Sequence, residues 1–304
     1  MATREVKVAA VQQGTMPGSS KDDKIEVQAR LIEEAAKDGC QIIMPGELAD
    51  TDYEKFYSKD PEYFEIAESI PGPTTELLGD IAKRYGVYII YPMFERAAPG
   101  IYYNAAATIG PEGTVIQNYR KTHVAGVQAL EKIYFRNGAE YKVWEMAEAP
   151  HAKVSTIICH DRRYPESARI CATLGAEIMF CPTAAPGYAS GVHWEMLNRM
   201  RSVDTGMFTV YSNRAGKEWN NDYFGGSMIV DPFGEVVTMA GDEQNIVVSA
   251  TLDLAKVDKA RIAVPTLRDM RNDLYVKYYA YGKPSYDELI DRPAAQEQRE
   301  AVVA

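Results

Sequence analysis

The segment Ser155–Glu166, S-T-I-I-C-H-D-R-R-Y-P-E, concentrates the residue types that do chemistry. An apolar β-branched run ends in Cys159, a doubly cationic turn follows, and Pro165 and Glu166 open a helix. A thiol at the carboxyl end of a buried strand, facing a helix N-terminus, meets backbone N–H groups that bind anions. The field there lowers a thiol pKa. Cys159 is therefore a candidate nucleophile; a buried structural cysteine is the alternative, since free Cys is among the most buried residue types. Arg162 and Arg163 carry guanidinium forks that suit a substrate carboxylate, or pair instead with Asp161, Glu166 or a subunit interface. His160 points away from its neighbour if the strand continues. It reads as a residue beside the substrate rather than as the base for the thiol.

Three other positions lie at expected strand ends. Glu47 follows C-Q-I-I-M-P-G, where partial desolvation raises a carboxylate towards general-base range; a helix cap or solvated loop charge is the alternative. Lys121 follows V-I-Q-N-Y-R and can stabilise an oxyanion, or is simply solvated. Glu131, in A-L-E-K-I-Y-F, offers a second carboxylate, or pairs with Lys132 or Arg136. The other thiols are weaker candidates. Cys181 lacks a following cationic turn and Pro182 has no N–H to offer, Cys171 falls within a helix, and Cys40 precedes a strand.

The elements that must carry these groups alternate. Strands are expected at Lys7–Gln12, Cys40–Met44, Val87–Pro92, Lys153–Cys159, Glu177–Cys181, Phe208–Ser212 and Ile246–Leu252. Helices are expected at Lys21–Lys37, from Thr74 or Thr75 to Gly86, at Pro165–Leu174, Val192–Asp204 and Ala255–Arg261. Hairpins surround Gly110-Pro111-Glu112-Gly113 and Asp231-Pro232-Phe233-Gly234. Such alternation predicts a mixed α/β layered fold, with one domain over 1–264. Residues 265–304 form a Pro- and charge-rich tail whose Tyr275, Tyr278, Tyr279 and Tyr281 dock on a partner subunit or on their own.

Composition narrows the partners. The 304 residues carry a formal net charge of −10, which argues against nucleic acid or an anionic membrane as the main partner. With four scattered histidines, four cysteines and no C-x-x-C pair, no metal spacing is present, and no cofactor is expected. No signal-like apolar stretch stands near residue 1 and no apolar run reaches a membrane span, so a cytoplasmic protein with reduced thiols is expected.

Glu after a strand and Pro, Lys-x-His after a hairpin, and Cys after a β-branched strand together resemble the nitrilase superfamily of carbon–nitrogen hydrolases. The resemblance runs from Val6 to about Leu252 and includes V-A-A-V-Q, P-G-P-T-T, Y-N-A-A-A-T-I, N-R-A-G-K-E and G-G-S-M-I-V-D-P-F-G-E-V-V. It implies an α-β-β-α sandwich, with Glu47 as base, Lys121 as oxyanion stabiliser, Cys159 as nucleophile and Glu131 positioning the lysine or substrate. It also implies a homodimer or homotetramer.

Within the superfamily, C-H-D-R-R-Y-P-E most resembles the C-N-D-R-R-W-P-E of N-carbamoyl-D-amino acid amidohydrolases. That likeness implies a carboxylate held by Arg162 and Arg163, with His160 and Thr183 beside it. The departures are Ala129 for a histidine, His160 for an asparagine, Thr183-Ala184-Ala185-Pro186 for Y-N-T-P, a shorter Pro182–Trp194 segment and an inserted Gly46. The leading expectation is hydrolysis of an N-carbamoyl amino acid to amino acid, carbon dioxide and ammonia. The alternatives are an amidase for a carboxylate-bearing amide, a nitrilase, an acyl transferase, and a non-catalytic oligomeric interaction protein.

Overall fold

The computed structural model describes residues 4–126 and 129–281. Two six-stranded sheets dominate it. The first contains β1 (Glu5–Gln12), β2 (Ile42–Met44), β3 (Tyr88–Ala98), β4 (Ile101–Ile109) and β5 (Val115–Arg120). The second contains β6 (Val143–Glu145), β7 (Lys153–Thr156), β8 (Ile178–Pro182) and β9 (Phe208–Ser212). A separate hairpin, β10 (Ala215–Glu218) and β11 (Asn221–Phe224), precedes β12 (Met228–Val230) and β13 (Val236–Met239) of the second sheet. Strand β14 (Ile246–Asp253) returns to pair antiparallel with β1 in the first.

Each sheet has three parallel strands at its centre, β1-β2-β3 and β7-β8-β9, and antiparallel additions outside. Parallel neighbours need crossovers, supplied by α1 (Lys21–Lys37) and α2 (Pro73–Tyr85) in one half. A four-residue helix, α3 (Glu131–Tyr134), lies between the halves in sequence, and α4 (Pro165–Thr173) and α5 (Gly187–Thr205) are the crossovers of the second. Helix α6 (Ala255–Ala263) follows β14.

Alternation along the strands explains the layers. Val8 and Ala10 of β1, Ile90 of β3, Phe180 of β8 and Val210 of β9 meet in a core between the sheets. Their neighbours Ala9, Val11 and Ile89 pack against Leu31, Ile32 and Leu78 of α1 and α2. Met179 and Tyr211 pack against Ala168, Cys171 and Trp194 of α4 and α5. Strands buried on both faces read as continuous apolar runs. The result is the α-β-β-α sandwich.

Several boundaries differ from expectation. β3 runs six residues past Pro92, because β4 stays paired with it as far as Ala98 although β2 stops pairing at Ile89. Pro92 faces only β4, where its missing N–H breaks no ladder on the other side. β7 stops at Thr156, and Cys159 begins a 3-10 turn, Cys159–Arg163. Strand β6 and the β10–β11 hairpin carry too few apolar residues to announce themselves.

By its contacts the chain divides into Met1–Leu267 and Arg268–Ala304. Within the second unit, α7 (Asn272–Val276) leads into a π-helical turn, Lys277–Tyr281, with Tyr275, Tyr278 and Tyr279 exposed. The rest of the tail, 282–304, lies outside the described residues.

Candidate active site

The ends of four strands converge. Glu47 follows β2, Lys121 ends the hairpin at β5, Cys159 follows β7 and Ala184 follows β8. In open α/β sheets ligands bind beyond the carboxyl ends of parallel strands, and here two such sheets meet. Glu47, Lys121 and Glu131 are all essentially inaccessible, at 0%, 1% and 0% exposure. Buried charges must be paired, and these are. The Lys121 Nζ donates to Glu47 Oε1 at 2.7 Å and to Glu131 Oε1 and Oε2 at 3.0 and 2.8 Å. Burial works against the ammonium, but the Glu131 and Glu47 carboxylates outweigh it and hold its pKa well above the usual value.

Glu47 receives two further donors, which leave one lone pair on Oε2 open among the described residues. Asn104 Nδ2 donates to Oε1 at 2.7 Å, and the Ala184 N–H donates to Oε2 at 3.0 Å. The inserted Gly46 lets this loop press against β8: a Cβ there would stand 3.3 Å from the Thr183 carbonyl oxygen, which accepts the Glu47 N–H. Glu131 is held from the other side by the Tyr53 hydroxyl.

Cys159 has φ +42°, left-handed backbone that a non-glycine residue adopts only under constraint. Asp161 supplies that constraint. Its Oδ2 accepts the Ile158 N–H at 2.9 Å and the Tyr119 hydroxyl at 2.7 Å. Its Oδ1 accepts Thr122 Oγ1 and the His123 N–H, both at 2.8 Å. One carboxylate thereby joins the turn after β7 to the residues just beyond Lys121.

The sequence-level expectation of a depressed thiol pKa fails. Burial is the largest influence and Glu47 adds to it, pushing Cys159 up to about 12 against the pull of Lys121 and Arg162. The resting group is a thiol, so nucleophilic chemistry here requires a base in reach.

A cavity of about 410 Å³ opens over the sulfur. Cys159 and Glu131 reach its wall, as do Tyr53, Tyr57, His160, Arg162, Arg163 and His193. Burial, together with Lys121 and Arg163, lowers His160 to about 4, so its ring is neutral at pH 7. The arginines differ. Arg162 is buried, donates to the Cys159 carbonyl at 3.1 Å and lies over the Trp194 ring. Arg163 is exposed on the cavity wall and has no carboxylate partner among the described residues.

Thr183 corrects an expectation. Its hydroxyl donates to the Ser212 carbonyl at 2.7 Å and contacts Asn213 Oδ1 at 3.1 Å, away from the cavity. The alternation that sends Ala184 to the site sends Thr183 into the sheet. Sequence reasoning assigned no role to Tyr53, Asn104 or Arg214, although Asn104 and Arg214 stand within Y-N-A-A-A-T-I and N-R-A-G-K-E.

A family model described as carbon-nitrogen hydrolase matches residues 7–262. The chain belongs to the carbon–nitrogen hydrolase family. Two similar relatives are omega-amidases NIT2-B and NIT2-A of Xenopus laevis, 34% and 36% identical, each over 84% of this chain and 92% of theirs. A carbon-nitrogen hydrolase from Helicobacter pylori G27 superposes with a TM-score of 0.83 at 26% identity, over 90% of this chain and 98% of that one. This carbon–nitrogen hydrolase thus carries its family's fold, an α-β-β-α scaffold.

Proposed function

We propose that this carbon–nitrogen hydrolase is an amidase for a small aliphatic amide that carries a carboxylate, with Cys159 as nucleophile. The observation that carries the reading is Arg163, a guanidinium without a carboxylate partner among the described residues, on the wall of the cavity that contains Cys159. The omega-amidase names of its relatives favour this amidase alternative over the N-carbamoyl reading.

The geometry supports the following chemistry. Glu47 takes the Cys159 proton as sulfur attacks the amide carbonyl. The oxyanion forms beside the Lys121 ammonium and the backbone N–H of His160, since the Asp161 N–H donates to the Ile158 carbonyl; one such donor contributes about 3–4 kcal/mol. Glu47 returns the proton to the departing nitrogen, and ammonia leaves a thioester. Water attacks that thioester with Glu47 again as base, releasing the acid and restoring the thiol. Glu131, fixed by Tyr53, holds the lysine in place throughout. No metal or organic cofactor takes part in this sequence.

Ammonia release tests it, across carboxylate-bearing amides, neutral amides of the same length, N-carbamoyl amino acids and nitriles. The carboxylate-bearing amides should be fastest, and Cys159→Ala should abolish turnover with the fold intact. Arg163→Ala should raise KM for them about 10- to 100-fold, the loss of one charge-assisted contact, and leave neutral amides unchanged. Preference for N-carbamoyl substrates, or equal losses on charged and neutral amides, would sink the substrate assignment. Turnover by Cys159→Ala would sink the nucleophile.

A further inference from the structure

We propose that the buried ion pair Arg214–Glu218 is a positioning device for the catalytic base, setting Glu47 and the Tyr53 wall of the cavity against each other. The inference rests on the assignment of Glu47 as base. It concerns Arg214, which immediately precedes β10, and Glu218, the last residue of β10, both outside the cluster that touches substrate.

The contacts are unusual in what they gather. One nitrogen, Arg214 Nη2, donates to three carbonyl oxygens of one short loop: Glu47 at 3.1 Å, Leu48 at 2.7 Å and Thr51 at 2.8 Å. Those carbonyls converge because Leu48 adopts φ +49°, a left-handed conformation that a branched side chain does not favour. The guanidinium compensates by neutralising three oxygens that would otherwise face one another. Its other arm, Nη1, donates to Glu218 Oε2 at 2.9 Å.

Glu218 extends the device to the opposite wall. Its Oε1 accepts the backbone N–H of Glu54 at 2.7 Å. Glu54 lies in the 3-10 helix Tyr53–Tyr57, whose first residue donates to Glu131 and whose last lines the cavity. Arg214 and Glu218 are 2% and 0% exposed, so solvent does not screen the pair. A single salt bridge therefore links the loop of the base to the helix that fixes the second carboxylate. Neither residue reaches the cavity, so the device acts only through position. Sub-ångström placement matters: displacing a reacting group by about 1 Å costs on the order of 10²-fold in rate.

The test compares Glu218→Gln, Arg214→Lys and Arg214→Met with Ile89→Ala. The last removes a buried side chain of β3 from the core under α1 and α2, away from the pair. Melting temperature, kcat, KM and the pH profile of kcat/KM are measured on the best amide substrate. Glu218→Gln, nearly isosteric, should lower kcat about 10- to 100-fold, change KM less than about threefold and move the acid limb of the profile. Arg214→Lys should retain more activity than Arg214→Met, and Ile89→Ala should lose stability but keep kcat. If the arginine variants do not fold, Glu218→Gln decides alone. Wild-type kcat and acid limb in Glu218→Gln, or an equal kcat loss in Ile89→Ala, would overturn the proposal. Turnover surviving Glu47→Gln would instead remove the reading of Glu47 as base on which it rests.

Discussion

At the scale of single residues, the central fact is a nucleophile candidate that is harder to ionise than a free cysteine. Cys159 combines burial with a neighbouring carboxylate, and its thiol is pushed up to about 12, against about 8.5 for a free thiol. Its reactivity must come from concerted proton removal rather than a standing thiolate. The sign of the shift yields a prediction. Iodoacetamide labelling of Cys159, followed by mass spectrometry, should show no inflection near pH 8.5 and should still be rising above about pH 10. A plateau by pH 8 would mean a stable thiolate and would refute the concerted step. Glu47, Lys121, Glu131 and Cys159, which the structure brings together, could be grouped in the sequence only through the family resemblance, since each alone has an ordinary structural reading. Thr183 was misassigned because a one-residue rotation at a strand end exchanges the faces, and nothing local in sequence records it. Tyr53 was missed for a related reason. Its partner Glu131 lies 78 positions away, and a tyrosine among tyrosines carries no signal of that contact.

At the scale of elements, the turn after β7 and the end of the β4–β5 hairpin behave as one unit, because Asp161 accepts hydrogen bonds from both. Burial works against its carboxylate, but hydrogen bonds from His123, Ile158, Tyr119 and Thr122 outweigh this and hold its pKa below the usual range. A carboxylate depressed in the folded state contributes its full stability above the unfolded pKa of about 4. That contribution is lost as pH falls through the lower folded value. Asp161→Asn, which replaces an acceptor with a donor facing donors, should cost roughly 2–4 kcal/mol at pH 7. The gap between wild type and variant in urea midpoint should narrow below about pH 4. A gap that stays constant down to pH 3 would show that the carboxylate charge is not what holds the turn. The helices and parallel strands around this unit were visible in the sequence, since doubly buried strands are uninterrupted apolar runs. The β10–β11 hairpin was not, because A-G-K-E and N-D-Y-F are neither apolar runs nor clean alternations. Its order comes from contacts to loops 163–167 positions upstream.

At the scale of the molecule, the site is assembled across the two sheets: Glu47 and Lys121 extend from the first, Cys159 and Ala184 from the second. Catalytic geometry should therefore depend on the core between the sheets more than on the cores beneath the helices. Strand β3 offers a controlled comparison. Ile89 and Ile90 are adjacent, both are 0% exposed, and alternation sends Ile89 towards α1 and α2 and Ile90 between the sheets. Either residue changed to Ala should cost about 2–5 kcal/mol from lost burial and the cavity left behind. The kinetic consequences should diverge. Ile90→Ala lets the sheets settle towards each other, shifting the Glu47 loop relative to Cys159, and should lower kcat on the order of 10-fold. Ile89→Ala relaxes a helix against the outer face of one sheet and should leave kcat within about twofold of wild type. Paired urea denaturation and steady-state kinetics on the two variants measure both quantities. Equal kcat at equal loss of stability would mean that the sheets hold their spacing without this core, and that the site is positioned by its hydrogen bonds alone.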